Sequence, residues 1–168
     1  YNSAIFSASV LLPGGLLIIA FNIIGPLLTN RIGIKKVLIM GCVISIIGFA
    51  TMMFYTQDSS FEFMTITQSI RYIGVGLALM PATTWTLTMV SDKVEDGTAV
   101  NNTLRQIFAA IGSSMVVVIV AIFAGGAIDN NSASVAAFNQ TSLILLILHV
   151  IMLILTIVFI DDKDKLEN

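Results

Sequence analysis

The chain has 168 residues, of which 57% are apolar and 11% charged, with a net charge of −2 and a mean hydropathy of +0.96. Soluble domains carry about 25% charged residues, so this is the composition of an integral membrane protein. No basic run is interleaved with aromatics, which excludes a nucleic-acid partner, and the single cysteine, Cys42, excludes a disulfide framework or a cysteine metal site.

The first 30 residues carry no charge. The segment 4–28 exceeds the roughly 20 residues needed to cross a hydrocarbon layer of ~30 Å and is expected to be the first transmembrane helix. It contains Pro13, Gly14, Gly15 and the polar Asn22, as in a bent helix packed closely on a neighbour. Asn22 has two readings, a solute contact or a bond to another helix. The segment has no basic region ahead of it and no small-residue cleavage site, so it is not read as a signal peptide.

The loop 29–36 follows, with Arg31, Lys35 and Lys36 and no acid. Its charge makes it cytoplasmic. A second uncharged span is expected over 37–55, with Gly41, Ser45 and Gly48 on one side where another backbone can approach. The segment 56–62 has two acids and no base, and is expected outside.

The third span, 63–90, holds a permanent charge, Arg71, within an otherwise lipid-soluble run. As a helix it places Thr67, Gln68, Arg71, Gly74, Ala78, Pro81, Ala82 and Trp85 on one side, and Ile66, Ile70, Ile73, Leu77 and Met80 on the other. A mid-membrane arginine costs from a few to ~10 kcal/mol, so it is expected to face a bundle interior or a wet cavity. The plainer alternative has Arg71 reaching the outer headgroups. Pro81 also frees the carbonyl of Leu77, which then needs a neighbouring helix or water.

The chain returns to the cytoplasm over 91–97 and a fourth span is expected over 98–124. Thr98, Asn102, Arg105, Gln106, Ala109, Gly112 and Ser113 share one of its faces. The Asn-, Ser- and Ala-rich segment 127–140 reads as an external loop. A fifth span, 142–160, is almost uniformly Leu, Ile and Val, shows no stripe of small residues, and is expected to face lipid. Its His149 reads as a polar packing residue. The tail 161–168 is charged and ends inside. Of the 8 basic residues, all but Arg71 fall on or near this side. Five spans with the C-terminus inside put Tyr1 outside, so an odd number of preceding helices is expected to be missing. The expected fold is therefore an all-α membrane protein, a single transmembrane helical domain over 1–168, incomplete at its N-terminus.

Four short stretches together resemble the C-terminal half of a major facilitator superfamily transporter, specifically a fourteen-helix drug:proton antiporter of the multidrug exporter type. They are Leu11-Leu-Pro-Gly-Gly15, Gly25-Pro-Leu-Leu-Thr-Asn-Arg-Ile-Gly-Ile-Lys-Lys36, Arg71-Tyr-Ile-Gly-Val-Gly76 with Met80-Pro81, and Gly97-Thr-Ala-Val-Asn-Asn-Thr-Leu-Arg-Gln106 followed by Gly112. The resemblance implies that the five spans are the second to sixth of that half, with the first and fourth at a seam with a missing N-terminal half. The third would border the central cavity, and the second and fifth would lie outside. It also implies that Asn30, Arg31, Gly33 and Lys35 form the conformational loop. Asn30 stands where that family has Asp, so the loop lacks its usual carboxylate.

The resemblance further implies alternating access and export of a small apolar or cationic drug against protons. A proton carrier needs an acid with a movable pKa. No Asp or Glu occurs in any of the five spans, so the acid is expected in the missing part, with Arg71 tuning it. Asn22, Gln68, Asn102, Arg105 and Gln106 are the polar candidates for the substrate or coupling pathway. Trp85, Met80 and Phe108 would supply adaptable apolar contact. Helix packing is the competing reading for each. The alternatives in function are a transporter of another solute and a membrane-embedded structural subunit that transports nothing. With no metal-ligand cluster, paired carboxylates or nucleophile beside a base, neither enzymatic activity nor a cofactor is expected.

Overall fold

A computed structural model describes residues 4–88, 94–125 and 131–160. It contains five helices: α1 (Ala4–Ile32), α2 (Ile34–Met52), α3 (Phe61–Thr88), α4 (Val94–Phe123) and α5 (Asn131–Phe159). Strands are absent among the described residues. Within α1, α2, α4 and α5 lie stretches long and apolar enough to cross a membrane. With its 28 residues, α3 reaches about 42 Å at 1.5 Å per residue, but Gln68, Arg71 and Pro81 make it less apolar than the others.

Helix ends differ from the hydropathy reading where polar residues are compatible with helix. The cytoplasmic loop expected over 29–36 shrinks to one non-helical residue, Gly33, because its φ of 98° and ψ of 153° reverse the chain in a single step. That region of backbone space is open almost only to glycine. Asn30 and Arg31 thus close α1, and Lys35 belongs to the first turn of α2. Likewise, α5 starts eleven residues before the expected 142, since Ala133, Ala136 and Ala137 are strong helix formers. At the other corner Ser60 starts α3, its Oγ accepting a bond from the Phe63 amide at 3.2 Å. The expected loop 91–97 lies outside the described residues up to residue 93, as do residues 126–130 and the tail 161–168.

α3 is the centre of the bundle, with α1 packed on one side and α2 on the other. Glycines bring these backbones together. A Cβ on Gly41 would lie 2.8 Å from the Gly74 carbonyl oxygen, and one on Gly48 would lie 2.8 Å from Arg71 Cα. On the α1 side, Gly14 lies under the Tyr72 ring and Gly25 faces the Leu77 carbonyl, where a Cβ would come within 2.9 Å of the oxygen. The carbonyl freed by Pro81 therefore faces the backbone of α1 at Gly25.

α5 packs on α2, and α4 packs mainly on α5. Only a small share of the apolar stretch of α5 is buried, and that share forms a narrow polar stripe. Ser142, His149 and Thr156 recur every seven residues; Ser142 and Thr156 are buried, and the His149 ring lies 4.5 Å from the Phe49 ring of α2. Thr156 Oγ1 donates to the Met152 carbonyl of its own helix at 2.8 Å, and Asn139 Nδ2 donates to the Tyr55 carbonyl at 2.8 Å. A seven-residue repeat keeps one seam of a helix on its neighbour. The aliphatic side chains between these positions are the ones left facing outward. By contrast, no part of the Asp96–Phe123 stretch of α4 is buried.

Candidate functional site

Arg71 lies in the first half of α3, with its backbone pressed against Gly48 of α2. Its guanidinium carbon sits 4.4 Å from the Tyr72 ring centroid and 5.6 Å from that of Phe49, and Nε donates to Gln68 Oε1 at 3.1 Å. Each aromatic face stabilises the cation by about 0.5–2 kcal/mol. No carboxylate among the described residues pairs with Arg71. The small, polar side of α3 accordingly has two uses: Gly74 and Ala78 meet Gly41 of α2, while Arg71 and Gln68 form a polar pair.

Beside this pair, at the end of the bundle where α1, α3 and α5 begin, lies a cavity of about 360 Å³. Phe6 and Val10 of α1, Tyr55, Met64 and Gln68 of the α2–α3 region, and Phe138 of α5 are among its walls. Tyr55 fixes this wall. Its ring stacks on Phe138 at 5.6 Å and meets Phe63 edge-on at 5.7 Å, and its hydroxyl bonds with Thr67 and donates to the Met64 carbonyl at 3.3 Å.

The other expected site residues are not gathered here. Arg105 donates to Asn102 Oδ1 at 3.3 Å, and these two with the exposed Gln106 lie on α4, away from the Arg71–Gln68 pair. Asn22, in α1, is half-buried, and its Oδ1 is buried with no hydrogen-bond partner among the described residues. Trp85 is half-buried near the far end of α3. Of the expected conformational loop, Asn30 and Arg31 are exposed, Lys35 is half-buried and Gly33 is buried. Sequence reasoning did not single out Phe49, Tyr55, Tyr72 or Phe138. The available signal was an aromatic beside Arg71 in sequence, Tyr72, and a tyrosine closing the second apolar run.

Taken together, the composition, the helices and the partly buried cation define a multi-pass helical membrane protein that holds the Arg71–Gln68 pair within its bundle. The chain is 31% identical over 115 residues to the uncharacterized MFS-type transporter YhcA of Bacillus subtilis (strain 168), covering 68% of this chain and 22% of that one. It is 32% identical over 114 residues to the lincomycin resistance protein LmrB of Listeria innocua, covering 67% and 24% respectively. A further MFS-type transporter of Bacillus subtilis, YcnB, is 27% identical over 108 residues, 64% of this chain and 23% of that one. These relatives and the all-helical architecture fit a partial MFS fold, and the match spans less than a quarter of the relatives' length. No family model and no solved structure matches it.

Proposed function

We propose that the chain is the C-terminal part of a proton-coupled drug exporter working by alternating access, related to fourteen-helix antiporters. The observation that carries this reading is Arg71. It is a permanent charge inside the bundle of a chain related to a drug-resistance protein, met by two rings and one amide but by no carboxylate among the described residues. A cation so placed stabilises the ionised form of an acid brought near it. In the proposed cycle that acid belongs to the other half of the transporter, and rocking of the halves moves it toward and away from Arg71. Its proton affinity then rises when the two separate, so that proton and drug alternate.

In this reading the partners are the remaining half of the same transporter, the lipid bilayer, protons and a small apolar or cationic drug. The turn at Gly33 and the C-terminal end lie on the cytoplasmic side of the cell membrane, following the basic residues. The open faces of α4, with Arg105 and Gln106 exposed, belong to the seam between halves. Asn22 and Trp85 remain candidate wall residues of the pathway, and Asn30, Arg31, Gly33 and Lys35 form the hinge region between α1 and α2.

The test uses the full-length protein in inverted vesicles. Arg71→Ala is expected to abolish proton-driven drug uptake while membrane abundance is retained, and Arg71→Lys is expected to restore part of it. Wild-type rates in Arg71→Ala would remove Arg71 from the mechanism. A second reading is transport of another solute, consistent with two relatives that are named only as MFS-type transporters. Proton-driven flux of a non-drug solute with no drug efflux would select it.

A further inference from the structure

The cavity beside Gln68 has a chemistry that the coupling role of Arg71 does not use. Its aromatic wall is preformed, since Tyr55 is held through its ring, its hydroxyl and its carbonyl. The Tyr55 hydroxyl is turned to Thr67 and Met64, and Thr56 pairs with Ser59. Gln68 differs. Its Oε1 is taken by Arg71 Nε, which settles which way the amide faces, and its Nε2 has no acceptor among the described residues. The wall thus offers this amide N–H, alongside the hydroxyls of Ser7 and Ser134, in a largely apolar cleft that opens to the outside.

We propose that this cavity is a solute subsite for a neutral, aromatic-bearing molecule that presents one hydrogen-bond acceptor to Gln68 Nε2, with Arg71 as the positioning residue of that amide. The proposal rests on the transporter reading above and narrows its substrate class. At about 360 Å³ the space is near the lower end of the ~300–1,000 Å³ range of small-molecule pockets, which suits a two-ring molecule. A cationic solute is disfavoured, because no acid among the described residues lines the cavity and the Arg71 guanidinium is bonded to Gln68.

Benzophenone, a neutral two-ring ketone that photolabels C–H groups around it, is the probe, with diphenylmethane as the matched competitor that lacks the acceptor. In the full-length protein, photolabel is expected on cavity residues such as Val10 and Met64. Unlabelled benzophenone should compete about 2–10-fold better than diphenylmethane, the range for one neutral hydrogen bond. Gln68→Leu is expected to bring that ratio to about one while diphenylmethane still competes, and Arg71→Met to narrow it, which a merely structural role for either residue does not do. Label found only outside the cavity, as when another segment of the full-length protein fills it, overturns the proposal, and so does an unchanged ratio in Gln68→Leu. Proton-driven efflux measured in the same vesicles separates the two levels. Intact efflux without cavity labelling sinks the subsite alone, whereas cavity labelling with no efflux of any probe sinks the transporter reading and leaves a binding site.

Discussion

Gly74→Ala tests the seam on which Arg71 depends. A Cβ at this position would lie 2.5 Å from the Ser45 amide nitrogen and 2.6 Å from the Gly41 carbonyl oxygen, both backbone atoms of α2. Neither can rotate away, so α2 and α3 must part by about 1 Å before these atoms reach van der Waals separation. A gap of that size forfeits roughly a quarter to a half of each local dispersion contact, and overpacking of this kind costs about 1–3 kcal/mol. The intrinsic preference of helix for alanine over glycine returns about 1 kcal/mol. The net expectation is a loss of up to about 2 kcal/mol, read from unfolding of the full-length protein in mixed micelles, with a weakened Phe49–Arg71 contact on the same seam. Gly15→Ala is the control, because a Cβ there meets nothing within 4 Å. Equal stability of the two variants would refute the close α2–α3 approach.

Three further outcomes follow from particular residues. Gly33→Ala places a Cβ at φ 98° and is expected to destabilise the protein by about 1–3 kcal/mol, seen as a lower melting temperature; an unchanged value contradicts the one-residue turn. Tyr55→Phe removes the hydroxyl's bonds to Thr67 and to the Met64 carbonyl but leaves Thr67 bonded to the Phe63 and Met64 carbonyls, so the loss should be about 1–3 kcal/mol by the same assay. Asn139→Leu leaves the Tyr55 carbonyl without its side-chain donor; about 1–3 kcal/mol is expected, together with increased amide hydrogen exchange at the 53–60 corner. Unaltered exchange there would show that this bond does not hold α5 to that corner.

The primary sequence by itself determined the class and the number of helices. A chain in which 11% of residues are charged leaves long apolar runs no solvent but lipid or one another, and in lipid each run must satisfy its own backbone as helix. It also singled out Arg71, because one guanidinium in such a run is conspicuous whatever the fold. Helix ends were less legible. Hydropathy marks where apolar residues stop, whereas helices stop where the backbone does, at Gly33 and at Ser60. Around Arg71, Gln68 and Tyr72 were within reach of the sequence, whereas Phe49 and the neighbouring cavity were decided by tertiary structure. The companions of Arg71 come from α2 and α3, the cavity beside it draws on α1, α3 and α5, and nothing in the one-dimensional pattern says which helix lies against which. The plain aliphatic look of α5 concealed Ser142, His149 and Thr156 as its contact stripe for the same reason: hydropathy sums over a helix, while packing depends on which side each residue occupies.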